Sequence, residues 1–363
     1  MSIKILHAAD FHLDSSFAGL TAEQAKLRRR ESRQLLERLS NYVNQNGVQL
    51  VLLAGDLFDG ATTYRETVEA LIDALAGMAA RVFIAPGNHD FYAARSPYAT
   101  LHWPENVHIF KTREIERMEV PELGCAVYGA AFTDAAQETS LLDGFAAPND
   151  GLTHLMVLHG DLTAAEARYD PVTREQIAAS NLDYLALGHT HRFGGVETAG
   201  RTAYAYSGCP EGRGFDELDD KGFLCGTVEH GGVDIKFIPF AKRRYRILRV
   251  DVTGQTPEDA LQAVMPETAA SDLCRVIFAG ETDERGVDIK SIQERFAAEF
   301  FHLELRDETR MRQDIWAHAQ EDSLRGLFLR ELRGQYDASD EAGRRRVERA
   351  ARFGLAALDR RDL

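Results

Sequence analysis

The first half of the chain alternates short apolar runs with stretches of helical periodicity. Residues 3–6 and residues 48–56 are apolar runs of strand length. Between them, residues 21–47 repeat apolar positions on one helical face, start with threonine and glutamine at capping-box spacing and end at a glycine. The alternation predicts βα units and an α/β fold with a largely parallel sheet.

Further runs continue this pattern up to about residue 240. Glycine pairs and short alternating segments over residues 193–240 predict β-hairpins after the βα units. The predicted elements are a helix at 65–79 and strands at 81–85, 107–110, 117–120, 125–132, 154–160 and 182–189.

The pattern changes after residue 240. Residues 245–308 read as a βαβαβ unit with a proline at the first position of its first helix, and from about residue 320 the periodicity is helical. We therefore predict a first domain at 1–240, a small α+β domain at 245–310 and a helical tail at 320–363.

Composition restricts the class of protein. The 363 residues carry a net charge of −15, which argues against broad binding to polyanions, although bound divalent metals would change that balance. Four separated cysteines, a first segment typical of a strand rather than a signal peptide, and apolar runs too short to span a membrane predict a cytoplasmic protein. The arginine-rich stretch GRRRVERAARFGLAALDRR is either a solvated helix or a partner-binding one.

Polar clusters follow five of the apolar runs directly. Because sites in α/β sheets form beyond the carboxyl ends of the strands, these clusters are expected to converge on one place. They are AADFH with Asp10 and His12, AGDLFD with Asp56 and Asp59, PGNHD with Asn88, His89 and Asp90, LHGD with His159, and LGHTH with His189 and His191.

Their chemistry predicts a metal site. Carboxylates, imidazoles and one amide suit Mn, Fe or Zn, and the candidate ligands exceed what one ion needs. Two ions sharing a carboxylate suit in-line displacement at phosphorus. Each cluster alone has a simpler explanation, such as a turn, a helix cap or an exposed strand end. The other histidines lack this context and are predicted to be structural or surface residues.

In this order the clusters D-x-H, GD, GNHD, H and GHxH resemble the motifs of calcineurin-like metallophosphoesterases over about residues 3–240. The resemblance implies a two-sheet β-sandwich flanked by helices, and an activated water as nucleophile. It also implies roles for single residues. Asp10, His12 and His191 would hold one metal, Asn88, His159 and His189 the other, and Asp56 would bridge both. His89 would protonate the leaving oxygen, with Asp90 orienting its ring.

HAADFHLDSSF, PGNHD and YSGCPEGRGFDELDDKGF resemble the SbcD-type DNA repair exonucleases, the YhaO-like group in particular. In that family a Y-x-G segment, an acidic residue and Lys-Gly close the core. Here these positions are Tyr206, Gly208, Glu217, Lys221 and Gly222. The resemblance implies Mn, DNA as substrate, a DNA-capping role for the small domain, and a tail that docks on an SMC-like coiled-coil ATPase.

Three functions stay open at this point: a DNA exonuclease or endonuclease in double-strand-break repair, a phosphoesterase for nucleotides or other small phosphodiesters, and a non-catalytic adaptor. A homodimer is a further expectation, because relatives in the family dimerise through helices beside the active site. Residues 64–78 are the candidate, and the alternative is that this helix packs on its own sheet.

Overall fold

A computed structural model describes residues 2–60, 63–162, 168–283, 286–311 and 315–358. Residues 284–285 of the predicted small domain and 359–363 of the predicted tail lie outside the described residues. The chain divides into two compact units. The first comprises Met1–Leu248, Met265–Val276 and Gln293–Glu304, and the second comprises Arg249–Val264, Ile277–Ile292 and Leu305–Leu363.

The first part of the chain contains the predicted alternation of strands and helices, with bounds close to the apolar runs. The strands are β1 (Ile3–Ala8), β2 (Leu50–Leu53), β3 (Arg81–Ile84), β4 (Val107–Ile109), β5 (Glu116–Val120), β6 (Cys125–Gly129), β7 (Thr153–His159), β8 (Tyr184–Gly188), β9 (Glu197–Ala199), β10 (Thr202–Tyr206), β11 (Gly222–Glu229) and β12 (Gly232–Pro239). The helices are α1 (Ala22–Gln45), α2 (Arg65–Ala76), α3 (Pro97–Thr100) and α4 (Arg174–Ala179).

Helix α1 begins and ends where the sequence indicates. Thr21 accepts a hydrogen bond from the backbone N–H of Gln24, and the Gln24 side chain accepts one from the backbone N–H of Thr21. This reciprocal pair satisfies two backbone donors that a helix start leaves free. Gly47 follows the C-cap with φ +61°, the left-handed conformation that glycine adopts without a steric penalty.

These strands form two six-stranded sheets. The first has the order β12-β11-β1-β2-β3-β4 and the second the order β5-β6-β7-β8-β10-β9. In both, the central strands are parallel, whereas β11, β12, β5 and β9 pair antiparallel. The prediction of one largely parallel sheet from periodicity is thus refined, and the two-sheet sandwich implied by the resemblance is confirmed.

Three apolar layers show how the sandwich is built. Alternate residues of both sheets, including Ile5, Leu52, Val157 and Ala186, form one buried cluster between them. The other face of the first sheet packs against α1 and α2, and the other face of the second sheet packs against α4. Because both faces are covered, the central strands are apolar at nearly every position.

The later elements follow the predicted βαβαβ order with two additional short strands. The strands are β13 (Tyr245–Asp251), β14 (Leu273–Ala279), β15 (Glu281–Thr282), β16 (His302–Asp307) and β17 (Arg310–Met311). The helices are α5 (Pro257–Val264), α6 (Ile289–Phe296), α7 (Leu324–Asp337) and α8 (Glu341–Leu358). Strands β13, β14 and β16 form a three-stranded sheet, and β15 pairs with β17. No helix among the described residues is long and apolar enough to cross a membrane.

Candidate metal centre

The structure brings the five polar clusters together at the carboxyl ends of the parallel strands. Strands β1, β2, β3, β7 and β8 each lead into one of them, as the sequence predicts. Among the described residues, three groups of side chains place one ligand atom each within 4.8 Å of one another. These groups are Asp10 with His12 and His191, His12 with Asp56 and His89, and Asp10 with Asp56 and His159.

The backbone at these positions is unusual. Asp10, His12, Asp56 and His189 have φ values of 56°, 42°, 51° and 108°, although none is glycine. Non-glycine residues with positive φ are uncommon and cost free energy, and they concentrate at functional sites. The strand ends turn sharply here, and the turns direct these side chains toward one point.

The imidazoles of His12 and His191 face each other across a short gap. Nδ1 of His12 lies 2.9 Å from Oδ1 of Asp59, and Nδ1 of His191 lies 2.7 Å from Oε1 of Glu217. Carboxylates only accept hydrogen bonds, so both Nδ1 atoms donate. Both Nε2 atoms then carry lone pairs, although they lie only 3.2 Å apart. Burial lowers the pKa of His12, which disfavours a proton between the two rings and favours a metal cation.

A second set of acceptors surrounds His159. Its Nδ1 donates to the carbonyl oxygen of Ala54 at 2.9 Å, which leaves Nε2 as an acceptor. That Nε2 lies 2.9 Å from Oδ1 of Asn88 and 3.5 Å from Oδ2 of Asp56. Oδ2 of Asp56 is also 3.6 Å from Nε2 of His12. Asp56 therefore lies between the two sets, where a bridging ligand is expected.

Asp10 is fully buried and accepts the backbone N–H of His189 at 3.0 Å. Burial, together with the nearby Asp56 carboxylate, raises its pKa well above the ordinary value. Burial also lowers the pKa of His189 to about 4, so its imidazole is neutral at pH 7 and available as a ligand. The donor set therefore fits divalent cations, because cations would compensate the buried carboxylates and the opposed lone pairs.

His89 and Asp90 occupy different environments. The ring of His89 is exposed and lies edge-on to His12, with centroids 4.8 Å apart. Asp90 is buried and accepts hydrogen bonds from the backbone of Gly87 and Leu57 and from the hydroxyl of Tyr98. Among the described residues, none of its hydrogen bonds goes to the ring of His89. Asp90 thus fixes the two loops after β2 and β3, and its orienting role toward His89 stays a prediction.

Comparison with known proteins decides the family. A family model for the calcineurin-like phosphoesterases matches residues 3–193, more than half of the chain. The chain belongs to this family. Members are hydrolases with a dinuclear metal site, and the groups assembled here are candidate ligands for it.

Sequence similarity to individual relatives extends beyond the region that the family model matches. The chain is 27% identical to the uncharacterized metallophosphoesterase YhaO of Bacillus subtilis, over 85% of this chain and 82% of that protein. It is 26% identical to the SbcD component of the nuclease SbcCD from the same organism, over 59% and 63%. It is 22% identical to the DNA double-strand break repair protein Mre11 of Methanopyrus kandleri, over 85% and 71%. The resemblance to SbcD-type members of the family is thus confirmed.

The segment between β10 and β11 closes this phosphoesterase core. The Tyr206 hydroxyl donates to the carbonyl of Gly160 at 2.8 Å and accepts the N–H of Leu162 at 2.9 Å, which fixes the loop after His159. Nζ of Lys221 donates to the carbonyl of His191 at 3.1 Å. These contacts explain why the Y-x-G and Lys-Gly elements accompany the histidine motifs in this chain.

Sequence reasoning missed part of the site. Arg213 contacts both Asp59 and Glu217, and nothing in the strand pattern marks it because it lies in the loop after β10. The only signal was its place four residues before Glu217 in a glycine-rich loop. Outside the site, His7 is a buried structural residue, as predicted. Its ring contacts the Tyr184 hydroxyl and the Leu187 carbonyl.

Proposed function

We propose that this chain is a two-metal phosphodiesterase that acts on DNA ends with Mn²⁺. The observation that carries the proposal is the pair of opposed Nε2 lone pairs of His12 and His191 beside the buried Asp10 and Asp56. Cations at these positions would activate a water and neutralise charge on a phosphate. The nuclease component and the repair protein among the relatives support DNA as the substrate.

In this proposal the side chains divide into two sets. Asp10, His12 and His191 hold one ion, and Asp56 lies where it can contact both. The second ion is held by Asn88, His159 and His189. Backbone contacts such as Ala54 to His159 and His189 to Asp10 keep the ligands in place before any ion binds.

His89 is the proposed proton donor to the leaving oxygen. Its exposed ring sits beside the ligand His12, so a phosphodiester on the centre could reach it from solvent. Its backbone N–H donates to Oδ1 of Asp56 at 2.9 Å, which ties the position of the ring to the centre. Asp90 also fixes this loop, because its Oδ1 accepts a hydrogen bond from the backbone N–H of Gly87 at 2.8 Å.

The test compares purified wild type and His89→Ala on linear double-stranded DNA with Mn²⁺. We expect the wild type to release nucleotides and the variant to be slower by about 10²-fold or more, the usual contribution of a general acid. His102→Ala is the matched control, because His102 is also exposed but lies outside the site. Low salt is used because phosphate contacts weaken as salt rises.

Two outcomes would contradict the proposal. If the wild type releases no nucleotides from DNA and equals His89→Ala, DNA cleavage at this centre is wrong. If it hydrolyses bis(p-nitrophenyl) phosphate but cleaves no DNA, the substrate is a small phosphodiester. A chain that binds no metal would favour the adaptor function.

We further propose that the α7–α8 hairpin docks an SMC-like coiled-coil ATPase. Leu329 and Ala351 are fully buried, and the ring of Phe328 lies against Gly354. In contrast, Leu324 and Leu327 are 73% and 62% exposed, one helical turn apart on α7. An apolar stripe of this kind fits the side of a coiled coil.

The docking surface can be tested with Leu327→Glu in co-purification with an SMC-like ATPase from the same organism. We expect the variant to lose the complex and to keep Mn²⁺-dependent hydrolysis of bis(p-nitrophenyl) phosphate. Arg333→Gln is a control in the same helix. Arg333 forms an ion pair with the exposed Asp337, and its guanidinium packs over the rings of Trp316 and Tyr336. Retention of the complex by Leu327→Glu would contradict the docking proposal.

A further inference from the structure

Arg213 forms a bridge between two carboxylates beside the metal centre. Nη1 donates to Oδ1 of Asp59 at 3.1 Å, and Nη2 donates to Oε1 of Glu217 at 2.8 Å. Its backbone N–H also donates to Oε2 of Glu217 at 2.7 Å. The planar guanidinium presents donors in fixed directions, so it holds both carboxylates in one geometry.

These two carboxylates are the ones that receive the Nδ1 protons of His12 and His191. The guanidinium of Arg213 thus lies behind both imidazoles, and its Nη2 also lies 3.1 Å from Nδ1 of His191. Its charge also matters, because Asp59 and Glu217 would otherwise add two negative charges next to Asp10 and Asp56. One guanidinium group therefore fixes the orientation of both rings and offsets the negative charge of the two carboxylates behind them.

Arg213 is itself held in place. The carbonyl of Gly212 accepts a hydrogen bond at 3.0 Å from Arg28, whose side chain is fully buried in α1. The Tyr245 hydroxyl donates to the carbonyl of Arg213 at 2.9 Å. Only 19% of the Arg213 side chain is exposed. The guanidinium is therefore a built part of the site rather than a mobile surface charge.

The other half of the centre is oriented by different contacts. Nδ1 of His159 is fixed by the backbone carbonyl of Ala54, and the His189 ring lies 3.9 Å from a carboxylate oxygen of Asp161. We infer that Arg213 is a positioning residue for only one of the two metal sites, the one that contains His12 and His191. This inference rests on the proposed metal centre. It means that the ligands of each ion are oriented by a different set of contacts.

The experiment titrates metal-free protein with Mn²⁺ alone, by calorimetry and by the electron paramagnetic resonance of free Mn²⁺. The wild type is expected to bind two ions. In Arg213→Gln we expect one ion to bind about 10–100-fold more weakly, the typical effect of losing a group that orients a ligand, with the other nearly unchanged. Arg213→Lys restores the charge but cannot hold both carboxylates, so its affinity should lie between those two.

Arg174→Gln is the matched control. Arg174 also pairs with a glutamate, Glu197, but both side chains are at least half exposed and lie away from the centre. This control should bind both ions as the wild type does. Circular dichroism confirms folding, and if Arg213→Gln fails to fold, Arg213→Lys decides the question.

The outcomes separate this inference from the proposed function. A wild type that binds no Mn²⁺ would overturn the proposed function itself. A wild type that binds two ions, with Arg213→Lys and any folded Arg213→Gln binding both within about twofold of it, would overturn only the role of Arg213. Equal weakening of both ions would also overturn it, because the guanidinium contacts only one half of the centre.

Discussion

Gly87 in PGNHD is the residue where a single methyl group should damage the centre most specifically. A Cβ at this position would lie 2.3 Å from Oδ1 of Asp56, 2.7 Å from its backbone nitrogen and 2.9 Å from Nδ1 of His159. Gly87 is not among the residues with positive φ, so alanine can adopt its backbone conformation. Gly87→Ala should therefore act only through steric contact of the new Cβ with Asp56 and His159.

The magnitude follows from these distances. Ordinary Cβ contacts lie at 3.4–4 Å, so Asp56 must move by about 1 Å. It cannot rotate freely, because Oδ1 accepts the N–H of His89 and Oδ2 faces His12 and His159. A misplacement of about 1 Å costs about 10²-fold in rate, or about 3 kcal/mol of transition-state stabilisation. Overpacking costs about 1–3 kcal/mol, so the protein should stay folded.

The assay measures kcat/KM for bis(p-nitrophenyl) phosphate with saturating Mn²⁺, together with Mn²⁺ affinity and circular dichroism. The control is Gly194→Ala, because no atom of the described residues lies within 4 Å of a Cβ there. We expect about 10²-fold loss for Gly87→Ala and no loss for the control. A folded Gly87→Ala with turnover and metal affinity equal to the wild type would refute the reasoning.

Two further predictions follow from the structure. His191→Ala should lose one Mn²⁺ and His189→Ala the other, measured by metal content after dialysis, and loss of both ions from both variants would contradict the two-site assignment. Glu31 is buried, which raises its pKa, but hydrogen bonds from Arg243 and Lys242 outweigh burial and lower the pKa to about 2. Its ion pairs therefore stabilise the fold fully above the unfolded pKa of 4.5, and this contribution is lost as pH falls toward 2. The pKa shift limits the contribution of Glu31 to the free energy of unfolding to about 3 kcal/mol. The difference in the free energy of unfolding in urea between wild type and Glu31→Gln should therefore shrink by up to that amount from about pH 6 to pH 2.5. A difference that does not change with pH would contradict this account.

The predicted dimer surface illustrates where a sequence pattern is ambiguous. The apolar positions of α2, including Val68, Leu71 and Leu75, are buried in the cluster between α1, α2 and the first sheet. Its exposed positions include Glu66, Glu69 and Asp73. The alternative of a helix packed on its own sheet accounts for this apolar face, and the homodimer stays a prediction.

The sequence by itself determined the elements and the candidate ligands. Apolar runs with helical or strand periodicity marked β1 to β8 and α1. In the central strands the runs are nearly continuous, because burial on both faces requires apolar side chains at nearly every position. The polar residues directly after five of these runs, from Asp10 to His191, identified the candidate ligands. Those assignments depend only on order along the chain and on the chemistry of single side chains.

Only the tertiary structure decided what surrounds these ligands. The backbone turns at Asp10 and His189 have positive φ, which no local pattern of residue types indicated. Asp90 accepts hydrogen bonds from the backbone of both loops, the one after β2 and the one after β3. Arg213 reaches the Asp59 carboxylate across 154 positions of sequence. Such contacts arise from the packing of distant loops, and their energies depend on distance and burial, which are properties of the folded chain alone.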